Sequence, residues 1–326
     1  LHDTGFGAGG LGVGNSSNYS MSGIAGEQGT TDKNVGTTYN LGPGLQFVRQ
    51  SNVTAAPTFT NVNSNYNKLK FVIDTGGNPS DTLFAIAIST DDFVTTNFIQ
   101  ADDTIGSTAV YQTYANWGGA SGEYVIGLAT STTYKIKVKA VQTKYTETEY
   151  SVASSATTSA PSLSFDLDVS SSDSESASPY TVAFGTLAVG SVTTATDKVW
   201  VDLATNGEGG GFVYVYTQGT GLTSTGVSYT LASATANLAS VDEGYGIRVD
   251  TVAESSGGPL TAVSPYNGAS DNVGIINTST RNILTSASAP ISAGRASILL
   301  KAKASGLTPA ASDYSDTITM IASATF

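Results

Sequence analysis

The sequence predicts an all-β protein: two tandem β-sandwich domains that follow an extended N-terminal segment. Three features favour this fold. Apolar and polar residues alternate over many short stretches, turn-forming residues separate those stretches, and long amphipathic helical patterns are missing. The chain of 326 residues is long enough to bury more than one core, and it contains 36 Gly but no Cys. We divide it into residues 1–55, 56–160 and 161–326.

Residues 1–55 form the predicted extended segment, which is rich in Gly, Asn, Ser and Thr and has too few apolar residues for a core. Two stretches repeat a pattern of small polar residues, Tyr, a polar residue, an apolar residue and Gly: NSSNYSMSG (15–23) and GTTYNLGPGL (36–45). The apolar residues of each stretch fall mainly at alternate positions, which predicts a β-strand with one apolar face. An exposed strand of this kind needs a sheet to cover it.

This predicted strand can pair with its own domain or with the sheet of a neighbouring subunit, as in donor-strand complementation. We call residues 15–48 the donor segment. The sequence Gly42-Pro43-Gly44 limits its second stretch because Pro cannot donate to a ladder, so we expect pairing to break there and to continue beyond it. The residues expected to contact the accepting sheet are Tyr19, Met21, Ile24, Tyr39, Leu41, Leu45, Phe47 and Val48.

Residues 56–160 contain short strand patterns separated by turn signals such as GGNPSD and NWGGASGE. The most regular pattern is YKIKVK (134–139), in which apolar residues alternate with lysines and give the strand one apolar and one basic face. The predicted strands are 58–62, 68–74, 82–90, 97–101, 109–114, 123–128, 132–142 and 146–158.

The stretch LATSTTYKIKVKA (128–140) resembles the L-x-x-x-T-x-Y-x-V-x-V-x-A signature of fibronectin type III domains. The resemblance covers roughly residues 56–160. It implies an immunoglobulin-like sandwich in which Tyr134 forms a tyrosine corner, with its hydroxyl bonded to upstream backbone. The chain lacks the buried Trp that this family places on an early strand, and we expect Phe71 to substitute for it. The adhesion tripeptide Arg-Gly-Asp is absent from the sequence, so integrin-type binding is not implied.

Residues 161–326 follow a linker at 154–164, where Pro161 blocks strand continuation. The final stretch, 314–326, places most of its apolar residues on one face, and Asp316 and Ile321 break that alternation. The predicted strands are 164–169, 180–187, 198–205, 211–218, 245–253, 296–305 and 314–326.

Two motifs of this region, FGTLAVGSVTTAT (184–196) and GLTPAASDYSDTIT (306–319), precede an aromatic last residue. The combination resembles the C-terminal β-sandwich of bacterial cell-surface and fimbria-like proteins, which include spore-coat or pilin-type and camelysin-like matrix-fibre subunits. Members of these families often carry an S-S-N-Y-x-x-x-G segment and a fibronectin-like module upstream, as this chain does. The resemblance implies an extracellular subunit of a surface filament.

Charge and composition narrow the set of partners. Lys and Arg number 14 against 26 Asp and Glu, and the net charge of −12 repels nucleic-acid phosphates and anionic lipid. No apolar run approaches the length needed to span a bilayer, so we expect neither nucleic acid nor direct membrane insertion. Because the chain begins with Leu1 rather than Met, we expect that a leader has been removed and that the protein is extracellular.

No residue set predicts catalysis, so we expect no enzyme activity and no cofactor. A Ser-His-Asp triad would have to use His2, which lies in a Gly-rich stretch where packing cannot orient it. A glycosidase needs two carboxylates facing each other across a sugar cleft. We interpret pairs such as Asp91–Asp92 and Asp166/Asp168 as solvated loop charges. The Gly-rich stretch 7–14 lacks the strand, helix and Lys of a nucleotide-binding loop, and we interpret it as a flexible linker.

Two features raise the question of ligand binding. The acidic loops 89–92 and 170–178 contain oxygen ligands suited to Ca²⁺, but no D-x-D-x-D-G loop is present and solubilising charge is the simpler interpretation, so we predict no metal site. Trp117 in YANWGGASGE is a candidate platform for stacking a sugar ring. A Trp beside two Gly is more often a turn residue folded over the edge of a core.

The function that these features favour is an extracellular structural subunit that self-assembles into a surface filament or matrix fibre. Assembly would use N-terminal strand addition, so the predicted partners are copies of the same chain. The alternative is a non-polymerising cell-surface adhesin or carbohydrate-binding module, with a surface glycan as its ligand.

Overall fold

A computed structural model confirms the all-β prediction. It describes residues 51–142 and 147–326 in full, together with the backbone of four short strands before residue 51. The chain divides into two compact units, Leu1–Ser159 and Ala160–Phe326. None of the helical turns in the described residues has the length and apolar character that a membrane span requires.

The N-terminal strands pair with one another. β1 (Gly10–Asn15) lies antiparallel to β2 (Ser20–Ile24), and β3 (Asn34–Val35) lies antiparallel to β4 (Asn40–Leu41). Asn15 is opposite Ser20, so NSSNYSMSG contains the end of one strand and the start of the next. The prediction of one continuous strand there is wrong, and so is the linker interpretation of 7–14, because alternation along the chain does not reveal which residues pair.

The first unit contains two further sheets. The larger has the strand order β13-β12-β7-β8-β9, with β10 also paired to β7, and the smaller has the order β11-β6-β5. Two short 3-10 turns lie at Val62–Ser64 and Gly119–Ser121. The strands are β5 (Thr58–Thr60), β6 (Leu69–Val72), β7 (Thr82–Ser89), β8 (Asn97–Ile99), β9 (Ile105–Gly106), β10 (Gln112–Thr113), β11 (Glu123–Val125), β12 (Thr133–Gln142) and β13 (Ser154–Thr157).

The alternation in β12 builds the core of this unit. Its apolar side chains are buried, and its register with β7 places Ile136 opposite Ile88 and Val138 opposite Ile86. Each such burial stabilises the fold by about 1.5–3 kcal/mol. The hydroxyl oxygen of Tyr134 accepts a hydrogen bond of 2.9 Å from the backbone N–H of Ala129, five residues upstream. The predicted tyrosine corner is therefore present.

The second unit is a sandwich of two larger sheets. One has the order β14-β16-β26-β15, and β21 and β22 also pair with β26. The other has the order β23-β25-β17-β27. A 3-10 turn lies at Leu238–Ser240. The strands are β14 (Leu163–Ser170), β15 (Val192–Thr194), β16 (Lys198–Thr205), β17 (Gly210–Thr217), β18 (Gly221–Ser224), β19 (Tyr229–Ala232), β20 (Ala236–Asn237), β21 (Gly244–Ala253), β22 (Ser256–Gly257), β23 (Thr261–Ala262), β24 (Asn272–Val273), β25 (Arg281–Thr285), β26 (Ile291–Lys303) and β27 (Ile318–Thr325).

One predicted strand of this unit does not form. Residues 180–187 contain no strand, because Gly185 adopts φ +65, outside the extended region. Val182, Phe184 and Leu187 nevertheless pack against the core as partly buried residues. The segment therefore lies along the sandwich without joining either sheet.

Candidate functional site

An apolar groove opens at one edge of the second unit. Its cavity volume is about 930 Å³. Strands β14 and β27 line it, and two segments without regular structure, 180–187 and 308–317, complete it. The buried residues of the groove are Val199, Leu222, Leu231, Tyr245, Leu300 and Ala304.

The groove lies where each sheet of the sandwich ends. β14 pairs with β16 alone, and β27 pairs with β17 alone, among the residues that the structure describes. Leu167 and Val169 of β14 and Ile318 and Met320 of β27 face the core side and remain only partly buried. Two strands that each end a sheet, with incompletely covered apolar side chains, therefore flank one groove.

The irregular walls of the groove are held in place. Ser315 exchanges two backbone hydrogen bonds with Thr223 of β18, of 2.9 and 3.0 Å. The Tyr314 hydroxyl donates to the carbonyl of Pro309 at 3.0 Å. The ring of Phe184 packs edge-on against Tyr245, with ring centroids 6.1 Å apart. These contacts give the groove a defined shape before anything enters it.

One carboxylate lies in this apolar setting. Oδ1 of Asp316 accepts the N–H of Thr317 at 2.8 Å, whereas Oδ2 is buried and has no hydrogen-bond partner within residues 51–142 and 147–326. Burial raises the pKa of the Asp316 carboxyl above its ordinary value. Burial also raises the pKa of the Tyr245 hydroxyl, and the negative charge of Asp316 adds to that increase. Among the described side chains that line the groove, Asp316 alone has a buried oxygen without a hydrogen-bond partner.

A cluster of acidic residues surrounds Arg295 of β26, in the sheet that contains β14 and β16. Oxygen atoms of Asp166, Asp168, Glu175 and Asp202 lie within 4.8 Å of one another. The Arg295 guanidinium donates to Asp168 at 3.2 Å and also binds Asp202.

Arg295 reaches the neighbouring loop as well, because it donates to Asp173 at 2.6 Å. The backbone N–H of Ser176 and the charge of Arg295 lower the pKa of Asp168, which is fully buried. The interpretation of Asp168 as a solvated loop charge is therefore wrong. A resident guanidinium supplies the positive charge of this cluster and ties loop 171–176 to β14, β16 and β26.

Trp117 is not an exposed platform. The side chain is 0% exposed, and its ring packs edge-on against Phe71 with centroids 6.0 Å apart. The indole N–H donates to the carbonyl of Phe84 at 2.8 Å. Gly118, directly after Trp117, closes the loop tightly, since a Cβ there would lie 2.3 Å from the Gly122 carbonyl oxygen. Burial leaves no ring face for a sugar, so the platform interpretation is wrong.

The residues of the predicted donor segment lie at the edge of what the structure describes. Met21 and Ile24 belong to β2, and Leu41 belongs to β4. The others fall outside the described residues: Tyr19, Tyr39, Leu45, Phe47 and Val48.

No protein-family model and no curated protein match this chain. Similar chains among solved structures include a chitinase, ChiA74 from Bacillus thuringiensis, with 12% identity and a TM-score of 0.20 over 83% of this chain and 29% of that chain. An α-L-rhamnosidase from Dictyoglumus thermophilum has 10% identity and a TM-score of 0.21 over 84% of this chain and 28% of that chain. This chain spans less than a third of either enzyme, and likenesses this weak support neither a shared fold nor a shared activity.

Proposed function

We propose that this chain is an extracellular structural subunit that assembles with copies of itself into a surface filament or matrix fibre. In this proposal the groove of the second unit accepts a β-strand from a neighbouring copy. The observation that carries the proposal is the groove itself, an apolar cleft flanked by the edge strands β14 and β27.

The shape of the groove suits a strand better than a small molecule. Its volume of about 930 Å³ lies at the upper end of the range for small-ligand pockets. It also continues from the irregular segment 308–317 onto the start of β27, where Ile318 and Met320 line it. A strand covers the apolar side chains and pairs with the backbone of the edge, whereas a small apolar ligand leaves the backbone groups unpaired.

The donor segment supplies apolar residues at alternate positions. Met21, Ile24 and Leu41 belong to strands that already pair within the N-terminal region. This pairing leaves the stretch that contains Leu45, Phe47 and Val48 as the part of the donor segment that adds to the edge of the groove. A strand at one end of the chain and a groove in the other unit form a head-to-tail contact that does not close on itself, so one kind of chain suffices for a filament.

Substitution of neighbouring residues on β27 tests the proposal. Met320 lines the groove, whereas Ile321 is 44% exposed on the opposite face of the strand. We expect Met320→Lys to abolish fibres in negative-stain images and sedimentation, and Ile321→Lys to leave them intact, with both variants retaining a cooperative melting transition. Fibres of normal length from folded Met320→Lys protein would contradict the proposal.

The alternative function, a monomeric glycan-binding adhesin, loses its main support with the burial of Trp117. A monomer retained on a glycan column would favour that alternative over the filament.

A further inference from the structure

We propose that the strand that enters the groove is residues 45–49 of a second copy, running antiparallel to β27, and that its Arg49 pairs with Asp316. This inference rests on the proposed function and specifies the partner, the direction and the register of the same site.

The groove supplies a row of three side chains. Asp316, Ile318 and Met320 occupy alternate positions, from two residues before β27 to the third residue of the strand, and all three line the groove. Oδ2 of Asp316 is buried without a hydrogen-bond partner in the described parts of the chain. A buried carboxylate oxygen that lacks a partner is unfavourable, so a strand that brings a cation to Oδ2 gains a strong, charge-assisted hydrogen bond.

The donor supplies a complementary row. Leu45, Phe47 and Arg49 occupy alternate positions, so they share one face when the segment is extended. Residues 1–50 contain only two Lys or Arg residues, Lys33 and Arg49. Only Arg49 follows two apolar residues at strand spacing. Its guanidinium also matches a carboxylate better than an ammonium does, because it donates two parallel hydrogen bonds.

Matching the two rows fixes the direction of the strand. In the antiparallel arrangement Arg49 is opposite Asp316, Phe47 is opposite Ile318, and Leu45 is opposite Met320. A parallel strand with the same ion pair would place Leu45 opposite Ser312, which is exposed. The antiparallel register buries both apolar donors.

The same register also predicts where the added strand stops pairing, which is at Pro43. This residue falls opposite Ala322, where its missing N–H ends the added ladder.

Charge reversal on full-length protein tests the pairing. We expect Arg49→Glu and Asp316→Arg each to raise the critical concentration for fibre formation at least tenfold, because like charges then meet in the groove. An equimolar mixture of the two variants restores fibres. In that mixture the acidic donor of Arg49→Glu meets the basic groove of Asp316→Arg, and the basic donor of Asp316→Arg meets the acidic groove of Arg49→Glu.

Two controls keep the result interpretable. Glu149→Arg makes the same change in charge as Asp316→Arg, at an exposed position of the first unit, and leaves assembly unchanged. The milder pair Arg49→Gln and Asp316→Asn guards against a folding defect: each raises the critical concentration several-fold, and the double variant raises it no further than the larger single effect.

The outcomes separate this inference from the proposed function. If wild-type protein forms fibres and either reversal leaves them unchanged, or if the mixture fails to restore them, the pairing is overturned and the filament proposal stands. If wild-type protein forms no fibres under any condition, the proposed function itself fails.

Discussion

Tyr134 joins two segments of the first unit through a single hydrogen bond to Ala129. We expect Tyr134→Phe to lower the free energy of unfolding by about 1 kcal/mol, because Ala129 is exposed and water can partly replace the lost acceptor. Urea unfolding measures the change. Tyr124→Phe, with a half-buried ring in the same unit, is the matched control, and an equal loss in both variants would contradict a special role for the corner.

Trp117 is fully buried in the core of the same unit. Trp117→Ala removes a fully buried ring and leaves the carbonyl of Phe84 without its donor. We expect a loss of about 3–5 kcal/mol in unfolding free energy, as for other buried aromatic residues. Thermal and urea unfolding test this. A stable Trp117→Ala protein would instead indicate an exposed ring.

Asp168 and Asp316 of the second unit have pKa values shifted in opposite directions and therefore predict opposite effects of pH. The pKa of Asp168 is lowered from 3.8, so its contribution to stability is present above pH 3.8 and is lost as pH falls through the lower folded-state value. We expect Asp168→Asn to weaken the second unit at neutral pH and to flatten the fall in melting temperature below about pH 4. The prediction would be contradicted if the melting temperature of Asp168→Asn fell with pH as steeply as that of the wild type.

Asp316 has a raised pKa, so its charged form destabilises the folded subunit once pH rises above 3.8. Asp316→Asn removes that charge and retains an oxygen that can accept from Thr317. We therefore expect a higher melting temperature for the monomeric variant at pH 7 than for the wild type, with no difference at pH 3. We expect this more stable variant to form fibres less readily than the wild type, because stability is gained where function is lost.

At the scale of strands, alternation predicted the elements whose two faces differ. β12, β16 and β27 fall within the predicted ranges because an apolar face meets a core and a polar face meets solvent. Short strands with mixed residues, such as β18 and β25, were missed because four or five residues carry too little periodicity. Residues 180–187 were overpredicted because Gly185 interrupts an otherwise alternating pattern.

The candidate site was predictable only in part. The apolar face of β27 was visible in the sequence, and so was Asp316 as a break in it, but nothing local showed that this face borders a groove. Which strands end a sheet depends on pairing between distant residues, such as Val213 of β17 with Ala322 of β27. Trp117 is a similar case, because its exposure depends on how distant strands pack around it.

For the whole molecule, the described residues include two separate hydrophobic cores. Deletion of residues 1–50 is therefore expected to leave a cooperatively folded monomer that no longer forms fibres. Calorimetry tests whether the deleted protein still unfolds cooperatively, and electron microscopy tests whether it still forms fibres. Loss of folding would show that the N-terminal region completes its own unit.

The open groove has a consequence for kinetics. A chain of subunits joined head to tail has one terminal subunit with a vacant groove and, at the opposite terminus, one with an unused strand, so the two ends grow by different reactions. A synthetic peptide with the sequence GLQFVRQ, residues 44–50, competes for the vacant groove alone. Because each filament presents its vacant groove at one terminus, peptide bound there would arrest elongation at that terminus and leave the other one active.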